Sequence, residues 1–173
     1  MNEKLLEVLE SNCNLPIEQI ALLSNMTVEE AAEQIEQMKA EKIILGNKSI
    51  INWEKTDKEF VTALIELKVT PQRGEGFDRI AERIYQFPEV KSLYLMAGSY
   101  DFAAYVTGKT MQEVAMFVSR RLSTIESVIA TSTHFLLKKY KESGINFIKG
   151  ESIGDDHSFD YGKFAHIDES SLR

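Results

Sequence analysis

The chain has 173 residues, 43% of them hydrophobic and 27% charged, with a net charge of −7. Those values fit a globular protein of one domain or two small ones. No apolar run approaches the ~20 residues that cross a bilayer. Met1-Asn2-Glu3-Lys4 opens no secretory signal, and one cysteine, Cys13, makes no internal disulfide. A cytoplasmic location with no membrane partner is therefore expected.

The charge is unevenly spread. Residues 1–55 carry −5 and contain no arginine, residues 60–143 carry +2, and residues 144–173 carry −3. An acidic head is not the usual footprint of a nucleic-acid binder. Cys13 reads as a small apolar residue, because no neighbouring group is placed to activate it.

The head, residues 1–53, reads as three short helices and a wing. The first runs from about Asn2 to Ser11, with Leu5, Leu6, Val8 and Leu9 as its apolar stripe. Pro16 suits the first turn of the second, which carries Ile17, Ile20, Ala21 and Leu23. Thr27, with Glu30 three residues on, predicts a capping box at the start of the third. Its inward positions are Val28, Ala31, Ala32, Ile35 and Met38. The turn Ser24-Asn25-Met26 has the length of a helix-turn-helix connection. Residues 43–53 read as a short hairpin, and residues 54–59 as a polar linker.

The body, residues 60–143, alternates strand and helix patterns. Phe60–Val69 suits a strand buried on both faces. Glu75–Phe87 is amphipathic, with Phe77, Ile80, Ala81 and Ile84 on one side. Val90–Met96 and Phe102–Val106 are strand patterns separated by a Gly/Ser/Asp turn, and predict a hairpin. Met111–Ile125 is a second helix, and Val128–Tyr140 a last strand whose alternation leaves one face for a partner. The order β-α-β-β-α-β is the ferredoxin-like plan. The fold class is thus α+β, with a winged helix-turn-helix ahead of a ferredoxin-like body. Residues 144–173, with Phe147, Phe159, Tyr161 and Phe164 at no regular period, read as an acidic extended arm.

These features together resemble the Lrp/AsnC family of leucine-responsive, feast/famine regulators over residues 1 to 143. The resemblance rests on Met26-Thr27, where the family has Leu-Ser, and on Ile43-Ile44-Leu45-Gly46. In the body it rests on Ala97-Gly98-Ser99-Tyr100-Asp101, on Ser127-Val128 and on Thr131-Ser132-Thr133. It implies double-stranded DNA and a small-molecule effector, an amino acid, as partners. It also implies a homodimer, formed by facing sheets, that assembles to a tetramer or octamer. Gly98, Ser99, Tyr100 and Asp101, with Thr131 and Thr133, would form the effector pocket between dimers. Position 99 is often acidic in the family and is Ser here.

The residues of that turn support a binding role. Gly98 lets a ligand approach the backbone, and Asp101 is an acceptor suited to an ammonium group. Loss of Asp101 is expected to remove the effector response without unfolding the chain. The simpler alternative is that Gly98 and Asp101 only make a good turn.

For DNA, the resemblance places the third helix in the major groove. Thr27, Val28, Glu29, Glu30, Glu33, Gln34 and Gln37, with Lys48 from the wing, would face the duplex. Gln34 and Gln37 suit adenine edges, and Glu accepts from cytosine. Yet this helix has Gln34, Glu36 and Gln37 where relatives carry Arg or Lys, and carboxylates repel phosphate. The alternative is a ligand-responsive protein-interaction module whose acidic helix-turn-helix no longer binds DNA strongly.

Neither a cofactor nor a catalytic constellation is expected. Sirohaem decarboxylases share this build, but need His and Arg around a tetrapyrrole, and the body has one histidine, His134. His134, His157 and His166 lack metal-ligand spacing. The pair Arg120-Arg121 reads as solvated or facing a partner's carboxylates.

Overall fold

Asn2, Pro16 and Thr27 each stand just before a helix. A computed structural model, which describes residues 2–71 and 76–147, shows α1 (Glu3–Ser11), α2 (Ile17–Leu23) and α3 (Val28–Ala40) starting there. The Asn2 side chain accepts from the Leu5 amide at 3.3 Å and donates to the Ser24 carbonyl at 3.3 Å, tying α1 to the end of α2. The capping box of α3 is present in both halves. The Glu30 carboxylate accepts from the Thr27 amide at 3.0 Å, and the Thr27 hydroxyl accepts from the Glu30 amide at 3.2 Å. Such a cap contributes ~1 kcal/mol to helix stability. Asn25, at φ 56, turns the chain between α2 and α3.

Leu5, Ile20 and Met38 form the buried centre of this unit, with Leu9, Leu15 and Ile35 around them. Ala31 is buried as expected, but Val28 and Ala32 face outward. A short three-helix unit covers only part of each helix, so the stripe on α3 is narrower than its apolar pattern.

The chain divides into two compact units between Ile51 and Asn52. Residues 43–52 contain no paired strand, so the expected hairpin wing is a single unpaired run. Trp53 does not close the head. It opens a 3₁₀ turn, Trp53–Lys55, capped by the Asn52 side chain, and its ring meets Phe60 edge-on at 6.3 Å. The segment expected as a linker is thus partly ordered by Trp53, with the Lys58 ammonium 4.3 Å from the indole.

The second unit is the ferredoxin-like body. Its elements are β1 (Val61–Val69), α4 (Phe77–Tyr85), β2 (Val90–Leu95), β3 (Phe102–Gly108), α5 (Met111–Phe117) and β4 (Val128–Phe135). The antiparallel sheet has the order β2-β3-β1-β4. Ala63, Ile65, Leu67 and Val69 of β1 alternate inward, against Ile80 and Ile84 of α4 and Val114, Phe117 and Leu122 beyond it in sequence. The other face of β1 is half-exposed, which corrects the expectation of burial on both sides. That open face carries Leu64, Glu66 and His134, and Tyr105 edge-on to Tyr94 at 6.5 Å.

Two boundaries move inward. Helix α5 passes at Val118 into a π-helical turn, Val118–Leu122, in which the Ser123 amide reaches the Val118 carbonyl at 2.8 Å. The wider turn keeps Phe117, Val118 and Leu122 all in the core, so the helix ends before Ile125. The last strand stops at Phe135 rather than Tyr140. Beyond it β5 (Lys141–Glu142) and β6 (Ile145–Asn146) pair around Ser143 and Gly144, at φ 46 and 83. Two left-handed residues in a two-residue loop make a hairpin turn. This hairpin straddles the expected start of the acidic arm. The rest of that arm, with Phe159, Tyr161, Phe164, His157 and His166, lies outside the described residues, as does Glu75 at the expected start of α4.

Candidate functional site

The loop Met96–Asp101 sits where the hairpin β2–β3 returns past the end of β1. Asp101 is held there by several contacts. Its amide donates to the Leu67 carbonyl at 2.9 Å, and its carbonyl accepts from the Met96 amide at 2.8 Å. Its carboxylate accepts from the Val69 amide at 2.8 Å through Oδ2, while Oδ1 lies 3.7 Å from the Lys68 ammonium. Asp101 is therefore a staple between the loop and β1. Oδ1, beside the half-exposed Lys68, takes no part in the hydrogen bond to Val69.

Gly98 and Ser99 are exposed and Tyr100 is half-buried. Gly98 does not have the left-handed backbone that would demand glycine, and a Cβ there would meet nothing within 4 Å. Within one chain neither backbone nor space requires this glycine. What remains is that its bare backbone stands open to another molecule.

Thr131 and Thr133 are not in this loop. Leu67 pairs with Phe102 on one side and Thr131 on the other, and Ile65 likewise joins Ala104 to Thr133. Both threonines lie two strand spacings, about 10 Å, from β3. They are on the helix-covered side of the sheet, and the Thr131 hydroxyl lies 3.4 Å from that of Ser123. Within one chain the fold does not bring them to Gly98–Asp101.

An open groove of about 310 Å³ begins at the base of the same loop. Leu95 and Phe102, the two residues that flank it, line this groove together with Phe77, Asp78, Lys91 and Leu93. It lies between α4 and the edge strand β2. Its lining mixes apolar side chains with polar ones, among them one acid, Asp78, and one base, Lys91. Linear patterning missed it, because α4 and β2 meet only through packing. The one local signal was the aromatic Phe77 at the start of its helix, which stacks edge-on with Phe102 at 6.0 Å.

In the head, Thr27, Val28, Glu29, Glu30, Glu33, Gln37 and Lys48 are exposed, and Gln34 is half-buried. The polar groups of α3 are partly occupied. Gln37 donates to Glu41 at 2.8 Å, Lys39 to Glu36 at 2.7 Å, and the Gln34 Oε1 is buried with no partner among the described residues. Glu30 is spent on its cap, and the Thr27 hydrogen bonds hold its carboxyl below the ordinary carboxylate range. Glu29 and Glu33 are left as exposed acids on the face that the resemblance aims at DNA.

Comparison with known proteins agrees with this architecture. The Lrp/AsnC ligand binding domain model matches residues 62–145. The chain is 47% identical over 149 residues to the uncharacterized HTH-type transcriptional regulator YugG of Bacillus subtilis (strain 168), covering 86% of this chain and 90% of that one. It is 23% identical over 141 residues to the DNA-binding transcriptional activator DecR of Escherichia coli (strain K12), covering 82% and 92%. Among solved structures, an AsnC family transcriptional regulator from Agrobacterium tumefaciens has a TM-score of 0.64 at 20% identity, covering 82% of this chain and 91% of that one. The regulator NMB0573 from Neisseria meningitidis, solved as an L-Met complex, has a TM-score of 0.63 at 20% identity, covering 82% and 90%. The chain belongs to the Lrp/AsnC family of helix-turn-helix transcriptional regulators.

Proposed function

We propose that this chain is a sequence-specific DNA-binding regulator that acts in the cytoplasm, without catalysis, and responds to an amino acid held beside the Met96–Asp101 loop. The observation that carries the effector half is the Asp101 staple next to an open Gly98 backbone. A carboxylate oxygen, exposed backbone amides and an adjoining groove of mixed lining are the three features a free amino acid needs: a partner for its ammonium, donors for its carboxylate and a bed for its side chain. The similar fold of the Neisseria meningitidis regulator bound to L-Met supports an amino acid as the ligand class. Gly98, Ser99, Tyr100 and Asp101 make the polar contacts. Thr131 and Thr133 enter the pocket only through a neighbouring subunit.

The open sheet face with Leu64, Tyr94 and Tyr105 supports pairing of two copies, and pairs of dimers would bring two such loops together. In the head, α3 docks in the major groove with Thr27, Val28, Glu29, Glu33 and Gln37 at the bases, Glu30 capping its start, Gln34 at mid-helix behind them, and Lys48 at phosphate. Several heads on one assembly multiply a weak individual contact.

The second reading, a ligand-responsive protein-interaction module, is favoured by one observation: Gln37 and Lys39 are engaged with acids of their own helix. Calorimetric titration of the full chain with each of the twenty amino acids tests the effector half. Saturable binding of one of them, weakened by Asp101→Asn, supports the pocket. Unchanged affinity in that variant places the ligand elsewhere.

A further inference from the structure

Beyond β4 the chain presents a surface that the regulator reading leaves unused. Leu137 is 89% exposed, Tyr140 60% and Ile145 37%, all within ten residues of one another around the small hairpin β5–β6. Lysines are interleaved with them. Lys139 pairs with Glu142 at 2.6 Å, while among the described residues no carboxylate stands at such a distance from Lys138 or Lys141. Lys138 lies 5.4 Å from the Tyr140 ring, and Lys139 5.3 Å from the Phe147 ring. This stretch thus exposes apolar side chains and lysines together, and aromatic rings stand next to two of its cations.

The sequence that follows Phe147 has the complementary chemistry. Residues 148–173 carry six carboxylates against three basic groups, and the carboxylates at 155, 156 and 160 flank the aromatics Phe159, Tyr161 and Phe164. This segment begins at the surface itself, because the Phe147 amide is bonded to the Tyr140 carbonyl at 2.9 Å. A segment tethered next to an apolar, basic surface has its partner at an effective concentration in the millimolar range, about 1 mM or more for a short flexible link.

We propose that residues 148–173 dock in cis on the surface made by Leu137, Tyr140 and Ile145. Asp155, Asp156 and Asp160 face Lys138 and Lys141, and the tail aromatics cover Leu137. The contact removes an exposed leucine from water and gives carboxylate partners to two lysines that have none among the described residues. It is independent of DNA and effector binding.

The test uses the full chain. Equal amounts of unlabelled and ¹⁵N-labelled protein are mixed and treated with a carbodiimide, which joins lysine amines to carboxylates without a spacer. The products are then mapped by mass spectrometry. Docking in cis predicts same-isotope links from Lys138 or Lys141 to Asp155, Asp156 or Asp160. It also predicts a several-fold loss of those links in Leu137→Asp, which leaves both lysines in place. Mixed-isotope links would overturn it in favour of a tail exchanged between copies. Tail links spread evenly over Lys68, Lys91 and Lys109, or none at all, would overturn it outright.

Discussion

The Asp101 carboxylate accepts a 2.8 Å hydrogen bond from the Val69 amide, across thirty-two positions of sequence. One side chain thereby pins the loop Met96–Asp101 to the last residue of the central strand β1. Val69 is 5% exposed, so its amide has no ready access to water as a substitute. The residue that the sequence marks for a ligand's ammonium is also a structural tie.

That tie changes what its removal does. Asp101→Ala leaves the Val69 amide orphaned, and is expected to cost ~1–3 kcal/mol of stability, the usual penalty for an unmade buried hydrogen bond. Asp101→Asn keeps an acceptor for Val69 while removing the charge, so its cost is smaller. Urea unfolding of both variants checks the order. Equal stabilities would mean that the Val69 contact does not hold the loop.

Gly108 and Gly98 make a contrasting pair. A Cβ at Gly108 would come within 2.9 Å of the Val114 Cγ2, which is buried against the core. Gly108→Ala is expected to lower stability by ~1–3 kcal/mol, as overpacking does. At Gly98 the same change meets nothing within 4 Å. Gly98→Ala therefore leaves the melting temperature unchanged and lowers amino-acid affinity. A large loss of stability at Gly98 would show that the loop needs glycine for its own conformation.

The α3 capping box ties stability to pH. The Glu30 carboxyl is held below its ordinary value by hydrogen bonds from the Thr27 backbone and side chain. A group with a depressed folded-state pKa stabilises fully above its unfolded value, and that share is lost as pH falls through the folded value. Glu30→Gln keeps an acceptor that does not titrate. Helix content followed by circular dichroism through the acid range is expected to fall more steeply in the parent chain than in this variant. Superimposable acid curves would show that the carboxylate contributes nothing to the cap.

If α3 docks on DNA as proposed, its charge governs the affinity for phosphate. Glu33 is exposed on the face of α3 that the proposed function turns to DNA. Glu33→Lys is expected to raise affinity for any duplex and, if it gains one phosphate contact, to steepen the plot of log affinity against log salt by about 0.9. Fluorescence anisotropy over a salt series reads both. An unchanged slope would place this face away from the duplex.

Much of the architecture was legible because local rules and packing agree. Thr27 with Glu30 marked the start of α3, Pro16 that of α2, and the alternation in Phe102–Val106 a strand. The misreadings arose where tertiary context decides. Residues 43–52 have hairpin composition but no ladder, Val118–Leu122 widens to a π-helical turn that linear periodicity reads as more α-helix, and Trp53 belongs with Phe60. Thr131 and Thr133 follow the alternation of β4, yet which side that alternation faces depends on the pairing with Leu67 and Ile65. The groove between Phe77 and Lys91 left Phe77 as its one sequence signal, since α4 and β2, though consecutive in the chain, form it only by packing.

The central claim is that an acidic helix-turn-helix here still binds DNA. The most direct measurement is anisotropy of a fluorescent duplex from the region upstream of its own coding sequence, at about 50 and about 200 mM salt, since phosphate contacts must weaken steeply over that range. Binding that exceeds that of a scrambled duplex, and falls with salt, is the predicted result. No binding at the lower salt by a folded, assembled protein would contradict it, and leave the interaction module as the reading.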